Sequence, residues 1–494
     1  MDDSRIRPKV IISGAGLAGL ITAIMFEFAG IDYHILEQAS RLRPLGTSIS
    51  LHPVVMRLMD QLGLLDDIHR IGKPLKSISI LSSTGRKMSK IDVRGNKRRH
   101  GSQAMVMSRP ELHQLLLSRI PSHKITTGKR VVDYVEDETG VTVVCMDETT
   151  YRGDFVIGAD GAYSTIRQIM YQKLHTQGKL SQSDCLPLQY DKHCVVGITD
   201  ELDPVKYPVL LDKSCEMKVV LGKDQRTSMW LMPLVGNRIG WCVGGPDPRQ
   251  EQEREADHHH NNHHHSHVHD DDESDRMSHA SFASRSKFDH IFHPLRRAAS
   301  SDHLRAGSED SSRSSIHWGP ESPSEILAEA HQFKCPYSSG SALDLIQATP
   351  LDRVSKVLLE EKMFESWYSG RVVLIGDGAS QAILDAAYLV NLFVDLRSTS
   401  LKELTMAFED YYQARSNTAK LALDSSRDMA NVIYEKSLRA SVARNIALRV
   451  APTWFLQLMT DSINTDTPLL KFLPYVANKG SRKKQKYRFM QSLQ

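Results

Sequence analysis

Three glycines and one acid near the start of this 494-residue chain have the clearest chemical potential. Gly14, Gly16 and Gly19 are spaced G-x-G-x-x-G, and Glu37 follows 23 residues after the first of them. Between a strand and a helix, the first glycine allows a tight turn and the second lets backbone N–H groups approach a pyrophosphate. The third permits close helix packing, and an acid ending the next strand accepts hydrogen bonds from a ribose diol. The set predicts an adenine-dinucleotide site but does not say which dinucleotide. Two later segments separate the choices: Gly158-Ala159-Asp160-Gly161 with Ser164 and Arg167, and GRVVLIGDG, which contains Gly376-Asp377. Contacts so far apart in sequence suit FAD, whereas an NAD site needs only its contiguous mononucleotide halves.

The elements that must hold these residues follow from the hydrophobic pattern. KVIIS, the glycine turn, LITAIMFEFAG and YHILE read as strand, turn, helix and strand, a βαβ unit buried on both sides. Residues 129–161 are β-rich runs broken by turn residues, and SMWLMPLVGNRIGWCVGG reads as a hairpin about Gly236-Asn237. An antiparallel sheet is therefore predicted beside a parallel one. Met217, Trp230, Met232 and Trp241 lie on its strands, where alternation leaves cavity lining and core packing equally open. Ser108-Arg109-Pro110-Glu111 has the form of a capping-box helix start, a place that welcomes an anion. The stretch after Ser400 reads as helical.

The glycine fingerprint, Asp160-Gly161 and Gly376-Asp377 occur in the order of the FAD-dependent monooxygenase family typified by para-hydroxybenzoate hydroxylase. The chain resembles most closely the epoxidase-like branch of secondary metabolism, over everything except a His-rich insertion. The resemblance implies an α/β fold: a discontinuous Rossmann-like FAD domain, a β-sheet substrate domain and C-terminal helices. It implies that NAD(P)H reduces FAD and that O2 then forms a flavin hydroperoxide. From this, oxygen would pass to a small organic substrate, aromatic or isoprenoid-like, by hydroxylation or epoxidation. Residue by residue, Glu37 would bind the adenosine ribose, Asp377 the ribityl chain, and Arg109 would face the phosphate region. Gly46 matches a turn near the flavin whose second glycine is Ser50 here, and Asp160 would shape the face where NAD(P)H docks.

One stretch departs from the family. After G-D the pattern continues x-x-H-x-x-x-P-x-x-G-x-G before its helix, a loop whose N–H groups face the flavin pyrimidine. Here GDGAS runs directly into QAILDAAYLV, so about eleven residues of dipolar support for a reduced, anionic flavin are missing. The departure keeps two other readings open: an FAD-binding chain with impaired turnover, and an FAD-dependent oxidase or reductase.

Composition sets the remaining bounds. The net charge of +3 excludes a concentrated basic footprint, so no nucleic-acid partner is predicted. Six well-separated cysteines without a C-x-x-C pair read as reduced thiols, and the N-terminus lacks the order of a secretory signal; both predict a cytoplasmic protein. No apolar run is long enough for a transmembrane span, and the basic stretch KGSRKKQKYR reads as a solvated terminus rather than a membrane contact. The expected organisation is an FAD-binding part at 5–184 and a substrate-binding sheet at 185–246 and 318–350. A His/Ser-rich disordered insertion would occupy 247–317, a second FAD-binding part 351–430, and a helical segment with the basic tail 431–494. The His tract reads as low-complexity sequence, with no metal site predicted.

Overall fold

A computed structural model of the chain describes residues 6–42, 46–186, 188, 192–223, 227–246, 330–359, 362–376, 378–434 and 467–481. The expected insertion at 247–317, Asp377, and the tail from 482 lie outside the described residues.

The chain begins with β1 (Lys9–Ser13), α1 (Leu17–Ala29) and β2 (Asp32–Glu37), followed by β3 (Ser48–Leu51), α2 (Pro53–Gln61) and α3 (Leu65–Ile71). Next come β4 (Gly72–Leu81), β5 (Lys87–Asp92), α4 (Asn96–His100), β6 (Met105–Ser108) and α5 (Arg109–Leu117). Strands β7 (Ile125–Thr127), β8 (Val131–Glu136), β9 (Val141–Cys145), β10 (Thr150–Gly153) and β11 (Phe155–Gly158) lead into α6 (Thr165–Thr176). The middle of the chain gives β12 (Lys192–Ile198), β13 (Cys215–Leu221), β14 (Ser228–Pro233), β15 (Ile239–Pro246) and the short α7 (Leu343–Gln347). The last elements are β16 (Ser355–Leu359), β17 (Tyr368–Ser369), β18 (Val372–Leu374), α8 (Ala379–Phe393) and α9 (Leu401–Ile433).

A six-stranded sheet, ordered β17-β18-β11-β1-β2-β7, is parallel except for its β17 edge. Its strands are apolar on both faces because helices cover them: Val10 and Ile12 pack toward α1 and α8, Ile11 and Val156 toward α6. Helix α1 is buried nearly all round, from Leu17 to Phe26. The large sheet is ordered β16-β12-β15-β14-β13-β4-β6-β3, with β5 paired to β4. It takes β3 to β6 from residues 48–108 and β16 from 355–359, stretches that the sequence pattern assigned to the FAD-binding parts. The cause is a non-local pairing: β4 runs parallel to β13, with Ile78 opposite Met217, and no local pattern encodes such a partner.

The β14–β15 hairpin turns through Gly236 (φ 74°) and Asn237 (φ 52°), both left-handed, as that dipeptide predicts. Its faces divide the four residues left undecided above. Trp241 is fully buried against the segment around Thr349, to which its indole N–H donates at 2.8 Å. Met217, Trp230 and Met232 gather on the opposite face.

Past α9 the described chain departs from the expected helical segment. Residues 467–481 form an extended strap without helix. Pro468 and Pro474 disfavour one, and side chains of other elements take the backbone groups: Gln61 holds Leu470 and Pro474, and Asn391 holds Leu469 and Lys471. Among the described residues no helix is long and apolar enough to cross a membrane.

Candidate cofactor site

The glycine turn sits at the C-terminal ends of the parallel strands, pinned on both sides. Gly14 N–H donates to Leu36 O (2.8 Å), and Ala159 N–H donates to Ser13 O (2.8 Å). Gly14 has φ 105°, and a Cβ there would stand 2.5 Å from Ala159 O, so only glycine fits. At Gly19 a Cβ would come within 2.0 Å of Gly14 O, which brings α1 directly onto the turn. Gly16 differs: a Cβ there would meet nothing within 4 Å. It caps α1 without any side-chain acceptor, and the first helical turn holds no acidic residue.

Glu37, at the end of β2, faces this opening. One carboxylate oxygen accepts the N–H of Ala15 and the other that of Ala39, each at 2.8 Å. The carboxylate is thus fixed beside the turn with lone pairs to spare. His113 on α5 closes the other side, with Nε2 2.8 Å from Ala15 O; burial holds this imidazole below its ordinary range. An uncapped helix N-terminus beside a fixed carboxylate fits a pyrophosphate joined to a ribose diol, the adenosine end of FAD.

Arg109 and Gly46 lie together. Arg109 N–H donates to Thr47 O (2.9 Å), and a Cβ on Gly46, whose φ is 113°, would stand 3.0 Å from Arg109 Cδ. Burial lowers the pKa of the Arg109 guanidinium. The Thr47 hydroxyl reaches Gly197 O at 3.0 Å and Trp241 O at 3.1 Å, tying this loop to the large sheet. Only half of the expected capping box forms. Ser108 Oγ accepts the Glu111 N–H at 3.4 Å, but the Glu111 carboxylate pairs with Arg238 on the β14–β15 turn instead of reaching back.

Asp160 follows β11 and lies against Gly14, where a Cβ would be 2.9 Å from Asp160 Cα. Its carboxylate accepts the Ser164 hydroxyl (2.5 Å) and the Ile166 N–H (3.1 Å) at the start of α6. Burial still outweighs these bonds and pushes the carboxyl above its usual range. Gly161 turns the chain with φ 83°. Gly376 comes after β18, at the same edge of the sheet, where Ile375 N–H reaches Gly158 O at 3.1 Å. The three motifs therefore meet at one end of the parallel strands.

The sequence reading missed two residues here. Asp385 on α8 and Arg415 on α9 form an ion pair at 2.8 Å with side chains 3% and 2% exposed, and Asp385 also accepts the Gly376 N–H at 2.9 Å. The available signal was a lone acid inside the apolar run AILDAAYLV.

The surroundings of this site are shared by known proteins. A family model described as "FAD binding domain" matches residues 7–290, more than half of the chain. The FAD-dependent monooxygenase cle3 of Aspergillus versicolor is 25% identical over 487 residues, covering 94% of this chain and 82% of that one. The FAD-dependent monooxygenase atmM of Aspergillus flavus is 24% identical, covering 96% of this chain and 88% of its own. Among solved structures, Klebsiella pneumoniae HpxO complexed with FAD and uric acid superposes with a TM-score of 0.65 at 19% identity, covering 94% of this chain and 98% of that one. The fold is thus shared across nearly the full length, and the part that carries the glycine fingerprint and Asp160-Gly161 matches an FAD-binding model. The chain belongs to the FAD-dependent monooxygenases.

Proposed function

We propose that this chain is an NAD(P)H-using monooxygenase that hydroxylates or epoxidises a small organic substrate, aromatic or isoprenoid-like. The observation that carries the reading is the uncapped N-terminus of α1 facing the carboxylate of Glu37. FAD, once bound, would supply the redox chemistry, in which NAD(P)H provides two electrons and O2 gives one oxygen atom to the substrate and the other to water. The chain's own residues bind and orient. Gly14, Gly16 and Gly19 bring N–H groups to the pyrophosphate, and Glu37 accepts the ribose hydroxyls. Arg109, next to Gly46, faces the phosphate region, and Gly376-Asp377 hold the ribityl chain. Asp160 and Gly161 shape the face approached by NAD(P)H. The apolar side chains of Met217, Trp230 and Met232 supply a wall suited to an aromatic or isoprenoid-like substrate. Six free thiols agree with a reducing, cytoplasmic setting.

One observation favours a second reading, an FAD-binding chain with impaired turnover: α8 begins at Ala379, only three residues past Gly376. Losing one donor to a developing oxyanion costs about 3 kcal/mol, roughly two orders of magnitude in rate, and a loop of such donors is missing here. The test inserts an H-x-x-x-P-x-x-G-x-G segment after Ala379 and compares FAD retention and NAD(P)H oxidation. A large gain in both supports impairment of the chain as it stands. Equal activity in the two forms discards the account of the loop. Substrate-dependent NAD(P)H consumption with an oxygenated product supports the monooxygenase reading, and peroxide without such a product favours an oxidase.

A further inference from the structure

Residues of three elements converge on one buried carboxylate. Asp385 lies in the second turn of α8, and one of its oxygens accepts Arg415 Nε–H from α9 at 2.8 Å. The other accepts the N–H of Gly376, which follows β18, at 2.9 Å. Arg415 Nη2 also donates to Gln381 Oε1 (2.6 Å), and one turn earlier on α9 the Tyr411 hydroxyl donates to Leu374 O (3.2 Å). Glycine at 376 admits the carboxylate, since a Cβ there would lie 3.0 Å from Asp385 Oδ2. A buried ion pair contributes little more stability than well-packed apolar residues in its place. Stability alone therefore does not account for an acid and a base held 3% and 2% exposed.

We propose that Asp385 is a positioning residue for the flavin end of the cofactor site. Clamped by Arg415, its carboxylate fixes the backbone at Gly376 and so the direction in which the chain leaves β18 toward the cofactor. With no loop between the G-D pair and α8, the second turn of the helix supplies an anchor to the strand end. This rests on reading Gly376 as part of the FAD site.

The test titrates full-length apoprotein with FAD, following quenching of flavin fluorescence, and records the visible circular dichroism of the bound flavin at saturating FAD. Asp385→Asn should raise the Kd for FAD about tenfold, the effect of weakening a hydrogen bond to a charged group, and alter the visible spectrum even at saturation. Gly376→Ala, which crowds the carboxylate without removing it, should shift both readouts in the same direction and decides the matter if Asp385→Asn fails to fold. A lowered melting temperature with wild-type Kd and spectrum in these variants would reduce the pair to fold stability and overturn the proposal. Glu37→Ala separates the two levels of inference. If it raises the Kd while the variants at 385 and 376 do not, the proposal alone falls. If none of the three alters FAD binding, the reading of the cofactor site falls with it.

Discussion

Helices α1 and α6 leave neighbouring parallel strands, β1 and β11, through glycine-containing turns, yet their N-termini are completed differently. At α6 the chain satisfies itself: Ser164 Oγ accepts the Arg167 N–H at 2.9 Å and Asp160 accepts that of Ile166 at 3.1 Å. At α1 the cap is Gly16, with no side chain to offer and no acid in the first turn. Each helix start carries roughly half a positive charge; α6 neutralises it internally, whereas α1 leaves it without a side-chain cap or an acid in its first turn. A glycine turn after a strand is thus not an anion site by itself, and the side chain at the cap decides.

The most severe challenge to this contrast is to make α1 resemble α6. Gly16→Asp places a carboxylate where a Cβ meets nothing within 4 Å, on an extended backbone (φ −71°, ψ −177°) suited to capping. The apoprotein should melt higher, gaining about 1 kcal/mol from the new cap. FAD affinity should fall by roughly 3 kcal/mol or more, over a hundredfold, because like charges then meet on the same N–H groups. Unchanged affinity in a fluorescence titration would remove the pyrophosphate from α1.

Glu37→Ala removes the proposed ribose acceptor and two contacts within the turn. Its expected effect on FAD affinity is about 1.5–3 kcal/mol, roughly ten- to a hundredfold. Glu37→Gln, which keeps one acceptor oxygen, should lose less; equal losses would point to charge rather than hydrogen bonding.

The smallest effect belongs to α6. Asp160→Asn should leave FAD affinity within about twofold, lower stability by about 1 kcal/mol through the weakened helix start, and raise the KM for NAD(P)H. Its pH dependence is distinctive. Because the carboxyl is held above its usual range in the folded state, its protonation favours folding, so the stability of the wild type relative to Asp160→Asn should grow as pH falls through that raised pKa. Urea melts at several pH values measure this, and a flat difference would contradict the direction of the shift.

How legible each feature was in the sequence follows from the range of the interaction involved. The βαβ start and the hairpin at Gly236-Asn237 depend on local patterns, so the residues themselves announce them, whereas the meeting of the three motifs, made by the long-range pairings of β1, β11 and β18, was implied by the family resemblance. The composition of the large sheet was hidden, since β4 meets β13 across more than 100 residues. The strap was hidden too, because its hydrogen bonds go to Gln61 and Asn391 and its own pattern carries no period. Asp385 was visible only as an acid in an apolar helix, and its partner lies 30 residues on, in a different helix.

The placement of β18 also dictates a timetable. Its partner β11 ends at Gly158, yet Val372 to Leu374 are synthesised more than 200 residues later. At about 5–20 residues per second the ribosome needs roughly 10 to 40 s to deliver them. Throughout that interval β11 presents an unpaired, apolar edge, the kind of surface that recruits strands from other chains. The glycine turn and Glu37 have by then long been made, while Gly376 is still to come. Slowed elongation or crowded expression should therefore reduce the yield of soluble protein through this open edge, before any defect in the finished site is felt.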